Sequence, residues 1–144
     1  MAAYTYSDIA RMLDHSLLQQ VLTDADLEQG CRLARDYGVA SVCIKPYAVR
    51  LAADILAGFA VAVGTTIGFP HGGHKTSTGY GSEGATDHDL QLMRRCAPPH
   101  VQVKAAGGVR TFERLMQVRA LGVSRVGATA TRAILDECKA RLQG

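Results

Sequence analysis

At 144 residues the chain is long enough for one domain with its own core, and well short of the roughly 250 residues of a complete α/β barrel. A hydrophobic share of 47%, a charged share of 20% and a net charge of +3 exclude a disordered chain and describe an ordinary globular one. Lysines and arginines are scattered, with no basic block and no interleaved aromatics, so a nucleic-acid partner is not expected.

The chain opens with no charged-then-apolar leader and contains no run of eighteen apolar residues, so neither secretion nor a membrane partner is expected. Cys31, Cys43, Cys96 and Cys138 are widely separated and form no Cys-x-x-Cys pair; they read as reduced thiols of a cytoplasmic protein. His71 and His74 have metal-ligand spacing but sit in a Gly/Pro loop without a nearby carboxylate or thiol. No metal site is therefore assigned.

In chain order, short β-branched runs alternate with helical patterns, the signature of βαβ units and a parallel sheet. A short helix near Ser7 to Arg11 precedes a first strand from Met12 to Leu18. Thr23 caps a helix from Asp24 to Tyr37, whose apolar residues Leu27, Cys31, Leu33 and Ala34 fall at helical spacing; Gly38 stands where a left-handed cap belongs. Val39 to Ile44 is a second strand. Pro46 then opens a helix that runs to about Ala57 and stops at Gly58.

Phe59 to Ile67 is almost continuously apolar, which predicts a third strand covered on both faces. From Gly68 to Ala85 the pattern fails, and a structureless stretch of that length is either functional or evidence against a tidy assignment. Thr86 caps the next helix, with Asp87 and Asp89 in its first turn and Leu90, Leu92 and Met93 on an inner stripe; Pro98-Pro99 ends it. Val101 to Ala105 is a fourth strand, Phe112 to about Leu121 a helix, Arg125 to Thr129 a fifth strand and about Arg132 to Leu142 a last helix. The predicted fold is thus one α/β domain over residues 1–144, built from about five parallel strands, each followed by a helix.

Two segments offer chemistry. Lys75-Thr76-Ser77-Thr78-Gly79-Tyr80-Gly81 sets a lysine among hydroxyls and glycines, and Val103-Lys104-Ala105-Ala106-Gly107-Gly108-Val109-Arg110 sets another at the end of an apolar strand. A lysine attacks carbonyls only when unprotonated, and burial or a neighbouring cation supplies that form near neutral pH. The alternative is a pair of solvated strand-end lysines. The Gly107-Gly108 turn and Gly127-Ala128-Thr129 each put backbone N–H groups before a helix, where they suit a phosphate; a plain strand-to-helix turn is the competing reading.

These segments, with Leu13-Asp14-His15-Ser16-Leu17-Leu18, Val42-Cys43-Ile44-Lys45-Pro46, Val63-Gly64-Thr65-Thr66-Ile67-Gly68-Phe69-Pro70-His71-Gly72 and Val126-Gly127-Ala128-Thr129, resemble the deoxyribose-phosphate aldolases. That family consists of Schiff-base aldolases on a TIM-type (β/α)8 barrel. The resemblance covers nearly the whole chain. It implies that Lys75 is the Schiff-base lysine and Lys104 the second lysine that lowers its pKa and shares in proton transfer. It also implies that Gly79, Gly107, Gly108 and Gly127 contact the phosphate and that Asp14 and Cys43 line the site. The implied reaction is reversible cleavage of 2-deoxy-D-ribose 5-phosphate to D-glyceraldehyde 3-phosphate and acetaldehyde, with no cofactor.

The chain departs from that pattern in one place. The Gly-Phe-Pro-His-Gly segment belongs to the family's third strand and Lys-Thr-Ser-Thr-Gly to its sixth, yet here His74 abuts Lys75. On the order of 70 to 80 residues are absent at about 30 per βα unit. The lost block holds the family's catalytic aspartate, and no residue here matches it. The expectations are therefore an aldolase homologue on an incomplete barrel, a non-catalytic sugar-phosphate-binding remnant, or a poorly folded internal-deletion product. The open sheet edges call for cover by loops, partners or another copy in a homo-oligomer.

Overall fold

The computed structural model describes residues 4–66 and 84–143. Lys75, Gly79, the His71/His74 pair and the end of the predicted third strand lie outside the described residues. The elements, in order, are α1 (Tyr6–Ala10), β1 (Leu13–Leu17), α2 (Asp24–Tyr37), β2 (Ser41–Ile44), a 3-10 turn (Pro46–Ala48), α3 (Val49–Leu56), β3 (Ala62–Thr65), α4 (Asp87–Cys96), β4 (Lys104–Ala106), α5 (Phe112–Ala120), β5 (Arg125–Ala128) and α6 (Thr131–Gln143). The strands form one sheet in the order β3-β2-β1-β5-β4, with every pairing parallel. Among the described residues this is an open arc, with β3 and β4 as its two edges.

Local chemistry explains most boundaries. The Thr5 and Thr23 hydroxyls accept from the backbone N–H groups of Asp8 and Asp26, whose carboxylates accept in return from the cap residues' own N–H groups, closing both helix starts. Gly38 ends α2 at φ 63° in the left-handed region and Thr86 caps α4, both as expected, and Thr111 caps α5.

Successive strand residues face opposite sides, and the two sides differ in chemistry. Leu13, His15, Leu17, Val42, Ile44, Ala105, Val126 and Ala128 are buried and join the core beneath the helices, with Leu27, Cys31, Leu115, Ile134 and Leu135. The opposite side carries Asp14, Ser16, Ser41, Cys43, Ala62, Gly64, Lys104, Ala106, Arg125 and Gly127, all small or polar; only Asp14 among them is buried. α2 lies close against β1 at Gly30, where a Cβ would stand 2.3 Å from a Leu17 methyl carbon.

Two further ties hold the arc. Arg11 donates from Nη1 to the carbonyls of Val39 (3.0 Å) and Ala60, fastening the chain entering β1 to the approaches of β2 and β3. Lys139 of α6 lies 4.6 Å from the ring centre of Tyr37 and 5.3 Å from that of Tyr6, while the Tyr6 hydroxyl donates to the Tyr37 carbonyl.

Three expectations are corrected. β3 is shorter than Phe59 to Ile67 and, among the described residues, is not covered on both faces: there it pairs only with β2, and Ala62, Gly64 and Thr65 are exposed. Phe59 belongs to the turn after α3, donating its N–H to the Leu56 carbonyl, and is 53% exposed beneath the Arg35 guanidinium. On α4 only Leu90 is buried, whereas Leu92 and Met93 are 44% and 40% exposed; the helix stands beside an edge strand and has one flank to bury. β4 starts at Lys104 rather than Val101, because Arg94 binds the carbonyls of Ala97, Pro98 and Val101 and holds that stretch as a turn.

His15 makes the core sensitive to acid. Its Nδ1 lies 2.8 Å from the buried Thr131 hydroxyl at the start of α6, and burial pulls its pKa from 6.5 to about 4, with the charge of Asp14 opposing. The unfolded chain therefore takes up a proton between pH 6.5 and 4 that the folded chain refuses. Stability from this group is complete above pH 6.5 and falls by about 3 kcal/mol as the pH drops to 4. Urea melts across that range are expected to show this slope in the unaltered protein and a flatter one in His15→Asn.

Candidate active site

Lys104 begins β4 at one edge of the sheet and Asp14 lies in β1, with β5 between them. The Lys104 ammonium nevertheless meets Asp14 Oδ2. Register explains how it crosses. Gly127 of β5 pairs with Asp14 on one side and Ala106 on the other, so the strand between the two charges has no side chain at that level. A Cβ built on Gly127 would lie 3.3 Å from Lys104 Cε, tighter than ordinary van der Waals contact.

Asp14 is held from its other side as well. The Ser41 hydroxyl of β2, paired in register with Asp14, donates to Asp14 Oδ1 at 2.7 Å. Arg125 Nη1 in turn approaches the Ser41 oxygen at 3.4 Å. The Asp14 side chain is 8% exposed and that of Lys104 46%, so the carboxylate is sunk in the sheet while the amine rides above it. Burying a carboxylate is costly unless its oxygens find donors, and here both do.

Cys43 shares this face one step further along, paired with Ser16 and Gly64. Burial pushes its thiol up, Asp14 adds to the rise and Lys104 opposes it, so the group is a neutral thiol near pH 7.

Beyond β4 the chain turns through Gly107 and Gly108 at φ 86° and 79°, left-handed geometry that side-chain-bearing residues rarely adopt. The returning chain buttresses this turn. Ala85 donates its N–H to the Gly107 carbonyl at 3.4 Å, and a Cβ on Gly84 would stand 3.0 to 3.2 Å from the Gly107-Gly108 peptide. Arg114 of α5 fixes that return, binding the Ala85 carbonyl at 3.1 Å and Asp87 at 2.6 Å.

Of the residues singled out in the sequence, the structure thus gathers Asp14, Cys43, Lys104 and Gly127 on one sheet face and puts Gly107 and Gly108 in the turn that follows β4. Lys75 and Gly79 lie outside the described residues. Sequence reading did not single out Ser41 or Arg125, although two-residue alternation sets Ser41 with Cys43 and Arg125 with Gly127. Among the described residues no group of three or more His, Cys, Asp or Glu side chains could hold a metal ion, and no helix is long and apolar enough to cross a membrane.

If Gly127 provides clearance, Gly127→Val will displace Lys104 from Asp14 and destabilise the fold by about 1–3 kcal/mol. The same change will cost less in a Lys104→Ala background. Chemical unfolding of the four proteins is expected to give a coupling of about 1 kcal/mol, and strictly additive effects would remove the clearance argument.

No protein-family model matches the chain. Comparison with individual proteins is more informative. A deoxyribose-phosphate aldolase from Rhodopirellula baltica is 36% identical over 226 aligned residues that span 99% of this chain and 94% of its own. Against 144 residues, an alignment of that length leaves at least 82 positions without a counterpart here, in keeping with two missing βα units and part of a third. Among solved structures, the aldolase QR15 superposes with a TM-score of 0.85 at 19% identity, over 94% of this chain and 98% of that one. The tetrameric deoxyribose phosphate aldolase of Aeropyrum pernix gives 0.71 at 16% identity, over 95% and 93%. The two structures establish the fold, and the Rhodopirellula relative establishes the lineage: the chain belongs to the deoxyribose-phosphate aldolases, on an open five-stranded arc of their barrel.

Proposed function

We propose that this chain cleaves 2-deoxy-D-ribose 5-phosphate reversibly into D-glyceraldehyde 3-phosphate and acetaldehyde, through a Schiff base on Lys75 and without a cofactor. The observation that carries the reading is the Lys104 ammonium fixed by Asp14 on the polar sheet face of a chain with this ancestry. An ammonium group beside a second amine favours that amine's neutral, nucleophilic form.

In the proposed sequence, Lys75 attacks the C1 aldehyde of the open-chain sugar and expels water to give an iminium. The C2–C3 bond breaks with its electrons entering the iminium, the C3 hydroxyl loses its proton and glyceraldehyde 3-phosphate departs. The resulting enamine is protonated at C2, and water releases acetaldehyde and the free amine. Lys104 shares in the proton transfers, with Cys43 and Asp14 lining the pocket. Gly79, Gly107, Gly108 and Gly127 cradle the phosphate, which orients the sugar from a point remote from the reacting bond.

The family's acid–base aspartate has no counterpart, which by itself lowers turnover by a factor of order 10² to 10⁴. A cytoplasmic role in deoxyribonucleotide breakdown follows from this substrate. Association of several copies would cover the β3 and β4 edges and accords with the tetrameric Aeropyrum relative. A non-catalytic sugar-phosphate-binding remnant is the second reading, favoured by the missing aspartate.

Borohydride reduction in the presence of acetaldehyde decides between them. The expected product is a single reduced adduct on Lys75 by peptide mass spectrometry, absent in Lys75→Ala and formed at least about tenfold more slowly in Lys104→Ala. No adduct at saturating aldehyde would end the aldolase reading. Thermal stabilisation by deoxyribose 5-phosphate without any adduct would establish the binding remnant.

A further inference from the structure

Asp14 anchors Lys104, but a carboxylate on a short side chain can turn about its own bonds, and the ammonium would follow it. What prevents this is the Ser41 hydroxyl, which reaches Asp14 from β2, the side away from Lys104, and is itself met by Arg125 from β5, the register partner of Lys104. Arg125 is always protonated and can only donate, so the Ser41 oxygen accepts from it at 3.4 Å and the hydroxyl proton is left to point at Asp14 Oδ1, 2.7 Å away. Each bond in such a chain polarises the next. The three residues come from β5, β2 and β1, and the Asp14–Ser41 strand register fixes their spacing.

We propose that Ser41, oriented by Arg125, is a positioning residue: it locks the Asp14 carboxylate in the rotamer that places the Lys104 ammonium over Gly127. Its importance to catalysis rests on the aldolase reading given above, whereas its effect on Lys104 does not. Among the described residues Ser41 bonds to Asp14 and Arg125, so its effect on Lys104 runs through Asp14.

Lysine side-chain ammonium NMR reads this directly, because a hydrogen-bonded –NH₃⁺ exchanges with water more slowly than a free one. In protein with ¹⁵N-labelled lysine, the Lys104 signal, assigned by its loss in Lys104→Arg, is expected to be protected. Ser41→Ala should raise its exchange rate about tenfold, Ser41→Thr should restore protection, and Arg125→Gln should give an intermediate rate. Melting temperatures report separately on the fold and are not expected to follow that order. An unprotected Lys104 in the unaltered protein, or equal protection in Ser41→Ala, overturns the proposal; should Ser41→Ala fail to fold, an unchanged rate in Arg125→Gln does so. The rate of borohydride trapping at Lys75 is expected to fall in parallel with protection. Absence of trapping in every protein, the unaltered one included, defeats the aldolase reading and leaves the exchange rates to decide the role of Ser41.

Discussion

The ion pair between Lys104 and Asp14 organises the polar face of the sheet. It joins the edge strand β4 to the central strand β1 over the gap left by Gly127, linking residues ninety positions apart that no common element holds together. Taking charges out of water is costly, and the arrangement offsets the cost unevenly: the carboxylate is sunk and receives two donors, while the amine stays half exposed and hydrated. The amine is thus the member of the pair that solvent can reach.

The two faces of the sheet explain why the remaining strands keep their positions. One face is mostly apolar and packed beneath the helices; the other is small and polar. Among the described residues the strand order β3-β2-β1-β5-β4 is a continuous arc with β3 and β4 at its ends. Exposure concentrates there, at Ala62, Gly64 and Thr65 on β3 and at Leu92 and Met93 on α4, while Leu13, Val42 and Val126 in the middle of the arc are buried completely.

Much of this was legible in the residues. Thr23 and Gly38 bracket α2, and Thr86 announces α4, because a cap is a local interaction that the sequence states directly. The misread segments were those whose fate depends on what stands beside them. Phe59 to Ile67 and Leu92-Met93 have the composition of covered elements, and composition carries no record of a missing neighbour. Lys104 entered the reading as a strand-end lysine and Asp14 through family resemblance; their contact depends on Gly127 being bare at one register position, and the roles of Ser41 and Arg125 depend on register in the same way.

Arg11 gives this arc a property that a closed barrel conceals. One guanidinium nitrogen gathers the carbonyls of Val39 and Ala60 at the entry to β1, so the first three strands are aligned at their origin by a clamp that owes nothing to ring closure. Such a clamp lets evolution, or an engineer, change the circumference by whole strand-helix modules: the number of staves can alter while the hoop at one end still sets their rank.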